Sequence, residues 1–202
     1  MISVIILIYT LVSNLLISAF VYKNNPESAT SKIFGILGVV ISLWLIILFI
    51  TQDPSYNSTY LFWARMSIFL AAPMSVSFFL LAHTVPSNKL QISKKTLLLI
   101  ISCTAAVMAI NLSPYTFTGI EIAQGAPKPL VGPGMMPFGI LSTFFSVAAV
   151  YTLFKKSIYS KGVEKAQLKF ITIGILMMLG LIITTVFIPV VFMNNTTFVP
   201  LT

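Results

Sequence analysis

The sequence predicts an all-α integral membrane bundle of six helices, and three observations carry that expectation. The 202 residues are 57% hydrophobic and only 8% charged, with a mean hydropathy of +1.00, whereas a soluble domain carries about a quarter charged residues. The apolar residues are gathered into six runs long enough, or nearly so, to cross a hydrocarbon core of roughly 30 Å as helices. The charges fall in the short gaps between those runs. Continuous runs of this length point to helices, because barrel strands alternate in polarity and are about half as long.

The first span covers residues 2–22 and contains no charge. It lacks a basic n-region and a small-residue cleavage site before Lys23, so it reads as a retained helix rather than a signal peptide. The second covers 33–50. The third, 61–85, opens with Trp63 and Arg65 and contains Pro73. That proline has no N–H to donate to the carbonyl of Phe69, which predicts a kink near mid-helix and makes Pro73 a candidate hinge. The fourth span covers 96–112, the fifth 135–154 and the sixth 167–190.

Orientation follows from the basic residues. Lys23, Lys32, Lys89, Lys94, Lys95, Lys155, Lys156, Lys161, Lys165 and Lys169 lie in or beside the odd-to-even gaps, against Lys128 and Arg65 on the other side. Ten against two places the odd-to-even gaps in the cytoplasm and the amino terminus outside, with the chain in the cell membrane. The basic segment 155–166 is expected to lie on anionic lipid of the inner leaflet, each lysine contributing on the order of 1 kcal/mol. The net charge of +8 thus implies a membrane surface, not nucleic acid. Six spans starting outside also end outside. The closing Val199-Pro200-Leu201-Thr202 reads as the start of a further helix, so the chain is expected to be a fragment.

The external gap 113–134 is the longest. Tyr115 to Ile122 alternates in polarity like a strand, Ala123 to Pro127 offers a turn, and Lys128 to Val131 can return, which predicts a small β-hairpin between helices 4 and 5. Two readings stand for this loop, a lid over the bundle mouth and a ligand-facing element. Two also stand for Trp63 and Arg65. They form an interfacial anchor with a snorkelling cation, or they stand over the mouth with Arg65 pairing to Asp53, Glu121 or an anionic ligand. Trp63, Arg65, Asp53 and Glu121 are therefore the candidate ligand-facing residues.

No charge sits at the centre of a span, where ion-coupled carriers need ionisable groups. The four acids, Glu27, Asp53, Glu121 and Glu164, fall in four different gaps, and no nucleophile, metal-binding or nucleotide-binding motif appears. The single Cys103 closes no internal disulfide. The sequence therefore predicts neither an enzyme nor a cofactor or metal site.

Three blocks carry a resemblance. Tyr22-Lys23-Asn24-Asn25-Pro26 continues through Ser31-Lys32-Ile33-Phe34 to Trp44. Phe62-Trp63-Ala64-Arg65 is followed by Pro73 and then by Phe78-Phe79 through Val85-Pro86. Gly162-Val163-Glu164-Lys165-Ala166-Gln167-Leu168-Lys169-Phe170 leads to Gly174. Together they resemble the amino-terminal seven-helix membrane region of bacterial sensor histidine kinases, although Val85 stands where that family has an aromatic. The chain departs from that pattern by stopping before a seventh helix and by having no output domain. The resemblance implies a sensory input region of a two-component signal-transduction protein, itself non-catalytic. It would pass a small ligand or membrane cue to a cytoplasmic kinase domain, with anionic lipid and a second copy of the chain as further expected partners. The alternative is a small multi-pass transporter or channel subunit, which calls for an inverted repeat and broken helices. No clear repeat joins the two halves. With Cys103 replaced by Ser, Gln124→Cys should react with a membrane-impermeant maleimide in intact cells, and Ser160→Cys only after permeabilisation.

Overall fold

The computed structural model describes residues 2–52, 59–123 and 126–162, and beyond them residues 165, 166, 168, 169, 172, 173 and 177. Five helices and one hairpin follow in order: α1 (Ile2–Asn24), α2 (Ala29–Gln52), α3 (Tyr60–Thr84), α4 (Lys94–Leu112), β1 (Phe117–Ala123), β2 (Ala126–Val131) and α5 (Met135–Tyr159). All five helices are long and apolar enough to cross a membrane. The expected sixth span, 167–190, lies for the most part outside the described residues. Two compact units divide the chain, residues 1–149 and 150–202.

Several helices run past the apolar segments that announce them. The reason is that helical hydrogen bonding does not stop where the hydrocarbon does. α4 begins at Lys94 rather than at 96, because the Ser93 side chain accepts from the Thr96 amide at 3.1 Å and caps the helix there. α5 continues to Tyr159 through Lys155 and Lys156. α3 remains one continuous helix through Pro73, with Ala72 beside it wholly buried.

In the first unit, α1 lies against α2, α2 against α3, and α3 against α4, with the hairpin resting on α3. α3 is therefore the central element. The residues it buries are mostly small: Ala64, Ser67, Ala72, Val76, Ser77, Ala82 and Thr84. Small side chains let neighbouring backbones approach closely, and between membrane helices such packing replaces the hydrophobic drive that lipid removes. An apolar cluster of Val76, Ile100, Leu141 and Phe145 joins α3, α4 and the first part of α5. Phe79, Leu80 and Val107 lie against it. The Phe79 and Phe145 rings meet at 5.1 Å and 59°, a tilted geometry favoured over a face-to-face stack.

The α1–α2 contact is polar at its centre. Asn14, midway along α1, donates from Nδ2 to the Gly38 carbonyl at 2.7 Å and to Ser42 Oγ at 2.8 Å. Ser42 in turn donates to the Gly38 carbonyl at 2.9 Å. Gly38 is required here, since a Cβ on it would collide with the Ser18 side chain. The rest of α1 is largely exposed apolar surface, including Ile5, Ile6, Leu16 and Phe20, as a lipid-facing helix requires.

At the lysine-bearing end the two short loops of this unit are tied together. The Ala29 amide donates to the Asn88 carbonyl at 3.1 Å, and Ser28 Oγ donates to Asn88 Oδ1 at 3.1 Å. Asn88 adopts a left-handed conformation at φ 57°, which asparagine tolerates better than most residues. Nearby, Lys32 and Glu27 approach to 4.0 Å, half to almost fully exposed, so the pair contributes little.

In the second unit α5 continues from Val150 to Tyr159, burying Leu153. Among the other described residues there, Leu168 is fully buried and Thr172 donates to its carbonyl at 2.8 Å.

Asn14→Leu should lower stability by about 0.6 to 1.7 kcal/mol, the range for interhelical hydrogen bonds in membranes. Gly38→Val should cost more, about 1 to 3 kcal/mol, because it drives α1 off α2. Thermal unfolding in one detergent should rank the two variants in that order.

Candidate functional site

The hairpin and its base are the most elaborated part of the described chain. β1 and β2 pair antiparallel, from Ala123 opposite Ala126 through Ile120 opposite Pro129 to Gly119 opposite Leu130. The register then shifts, so that Phe117 faces Val131 and Thr118 is the extra residue of a bulge. The alternation in Tyr115–Ile122 thus corresponds to a strand, two residues shorter at its start. The first residues after α4 instead form a turn that closes the hairpin's base.

That base is knotted through backbone hydrogen bonds. The Gly132 amide donates to the Thr116 carbonyl and the Gly134 amide to the Tyr115 carbonyl, both at 2.9 Å. Thr116, wholly buried, donates from its hydroxyl to the Ile110 carbonyl at 2.9 Å. A Cβ on Gly132 or Gly134 would run into the backbone of Tyr115, so both positions need glycine for close approach rather than for a turn conformation. These bonds join the end of α4 to the start of α5.

Arg65 joins the same base to α3. Its Nη2 donates to the Phe117 carbonyl at 2.6 Å, and Phe117 itself is 5% exposed. A hydrogen bond from a charged donor is about twice as strong as a neutral one. Three residues further along α3, the Ile68 carbonyl accepts from Asn111 Nδ2 of α4 at 3.2 Å. Asn111 is fully buried. The hairpin base is thus tied to α3 by Arg65 and to α4 by Thr116, while Asn111 ties α3 to α4 directly beside it.

Of the four candidate ligand-facing residues, the three that are described, Trp63, Arg65 and Glu121, each engage different partners. Trp63 donates from Nε1 to Thr59 Oγ1 at 3.1 Å and meets Phe62 edge to face at 5.1 Å, one turn from Arg65 but engaged with its own helix end. Glu121 is exposed on β1 and stands opposite Lys128 in the ladder. Among the described residues no ion pair joins it to Arg65, whose partner is a backbone carbonyl. Asp53 lies outside the described residues. Pro73, the candidate hinge, lies beside the wholly buried Ala72 in an unbroken helix.

Asn14, Asn111 and Thr116 were not among the candidates. The signal for the two asparagines was present: an amide inside an otherwise apolar run has to find a partner within the protein. The Arg65–Phe117 bond had no such signal, because its acceptor is a main-chain group. Among the described residues no three His, Cys, Asp or Glu side chains come together to hold a metal. The site offers positioned hydrogen-bonding groups at the base of an exposed hairpin.

Apolar helices stacked in sequence define a multi-pass membrane protein, here with a hairpin clamped to one end of α3. Residues 5–202 match the family described as the N-terminal 7TM region of histidine kinase, and the chain belongs to that family. No curated protein and no solved structure matches it.

Arg65→Ala should remove about 1.5 to 3 kcal/mol of tethering and speed amide exchange in Phe117–Ala123 while α1 and α2 are unaffected. Hydrogen exchange read by mass spectrometry in lipid nanodiscs checks this. Gly134→Val should give the same pattern by prising the hairpin base open.

Proposed function

We propose that the chain is the membrane-embedded input region of a histidine kinase, non-catalytic itself, with the hairpin outside the cell membrane and the lysine-rich gaps facing the cytoplasm. Membership of the family supports the sensory role, and the ten-to-two asymmetry of basic residues supports the orientation. In this reading residues 167–190 form a sixth span.

The observation that carries the reading is the Arg65–Phe117 bond. A cue that meets the hairpin meets an element fastened to α3, and α3 lies against α2 and α4. A ligand that binds one arrangement of hairpin and helices more tightly than another shifts the population between them, by no more than that difference in affinity. The bundle passes the shift inward to the kinase. Trp63 anchors the outer end of α3 in the interface, Glu121 is the exposed charge on the hairpin, and the cytoplasmic lysines hold the inner loops on anionic lipid.

Deleting residues 116–128 from the full-length kinase in membrane vesicles should change its basal autophosphorylation rate by about 5-fold or more, the lower end of ordinary allosteric coupling. An unchanged rate, with the protein inserted normally, rejects the hairpin as the input element.

A further inference from the structure

The two edges of the hairpin are not alike. Ile120 stands opposite Pro129, and Ile122 opposite Pro127. Opposed residues of an antiparallel ladder either exchange both N–H···O bonds or turn their main-chain groups outward. A proline has no N–H to exchange. These two pairs are therefore of the outward kind, and Glu121 with Lys128 is the hydrogen-bonded pair between them. The outer edge of β2 thus carries prolines at two successive outward positions and offers no donor at either. The outer edge of β1 offers the N–H and C=O of Ile120 and of Ile122. Among the described residues no main-chain hydrogen bond from another element reaches those groups, and Ile120 is 40% exposed. Proline is one of the usual means of blunting an edge strand. Here it blunts one edge of the hairpin and leaves the other open.

We propose that β1 pairs with β1 of a second copy of the chain, antiparallel about Ile120, to make a four-stranded sheet in the order β2–β1–β1–β2. The inference goes beyond the sensory reading and does not depend on it. Charge and strand length set the register. A pairing centred on Glu121 puts two carboxylates directly opposite each other, which destabilises a sheet. A pairing centred on Ile122 brings Ile120 opposite residue 124, past the end of β1 at Ala123. Centred on Ile120, the pairing stays inside β1. Ile120 then exchanges both bonds with the partner's Ile120, and Glu121 faces the partner's Gly119. The far edges of this sheet are the proline-bearing ones, so it closes at two copies instead of growing. Two copies inserted the same way are related by a two-fold axis along the membrane normal. An antiparallel pair meets that condition when its sheet lies across the helix ends, and both strands of the hairpin rest on α3. Confinement of both copies to one membrane plane raises their effective concentration, which suits a short pairing edge.

The test is oxidative cross-linking of the 202-residue chain in lipid vesicles, with the exposed Cys103 replaced by Ser. Ile120→Cys puts a thiol on a hydrogen-bonded pair whose Cα atoms stand about 5.5 Å apart, inside the range a disulfide spans. Leu130→Cys is the matched control. Leu130 is 44% exposed, as open as Ile120, but it lies on β2, so the two copies of it are separated by about 14 Å or more. Copper phenanthroline should link the Ile120→Cys chains about 10-fold faster than the Leu130→Cys chains. Ile120→Pro removes the outward N–H without touching a β1–β2 hydrogen bond. The dimer fraction counted by single-molecule photobleaching should then fall to that of randomly placed monomers. Similar linking rates at the two positions, or no linking at either, overturn the proposal. So does a dimer fraction that is unchanged in an inserted Ile120→Pro chain. The cross-linking decides alone if Ile120→Pro does not insert.

Discussion

Inside a bilayer no water is at hand to satisfy a polar group, so each donor and acceptor in the apolar zone must find its partner in the protein. The Arg65 guanidinium is the strongest such demand among the described residues. It is met by a main-chain carbonyl at the foot of the hairpin, at 2.6 Å. This choice of partner shapes the rest of that end of the molecule. Phe117 has to stay where Arg65 can reach it, so the turn before it is closed by Thr116 and the strand after it carries a bulge. The returning strand has to pass so near Tyr115 that only glycine fits at residues 132 and 134. Sequence reasoning left Arg65 either snorkelling at the interface or standing over the mouth, and in the fold it fastens the base of the hairpin to α3.

The same constraint explains the α1–α2 contact. Lipid is as apolar as the helices themselves, so association depends on close packing and on the occasional interhelical hydrogen bond. Asn14, Gly38 and Ser42 supply both at one level, the glycine by letting Ser18 in and the asparagine by bonding to the backbone this exposes. α1 is otherwise exposed apolar surface and has little else to fix its place. At the opposite end of the same unit the Ser28–Asn88 link ties the loop before α2 to the loop after α3. α1 is thus fixed to α2 at mid-span, and α2 to α3 at the lysine-bearing end.

Much of this was legible in the residues. Five of the six expected spans coincide with α1 to α5 to within a few residues, because twenty apolar side chains in a row have few other uses. The hairpin was legible too: strand alternation around Gly119 and Glu121, a turn after Ile122, and a return to Val131 leave little freedom in a short loop. The site was legible only in part. Arg65 stood out by its charge, whereas Asn111 looked like an ordinary residue near the end of a helix. Its burial and its unmatched oxygen follow from the approach of α3 to α4, which no local pattern encodes.

The sequence by itself determined which segments are helical and membrane-sized, where the chain turns back as a strand, and how its charges are divided among the gaps between spans. Those properties depend on composition and spacing, which act over a few residues. The tertiary structure alone decided that Arg65 bonds to the Phe117 carbonyl and, among the described residues, not to Glu121, and that Asn14 and Asn111 are interhelical partners. A main-chain carbonyl looks the same in every residue, and only the folded path of the chain brings a particular one within reach.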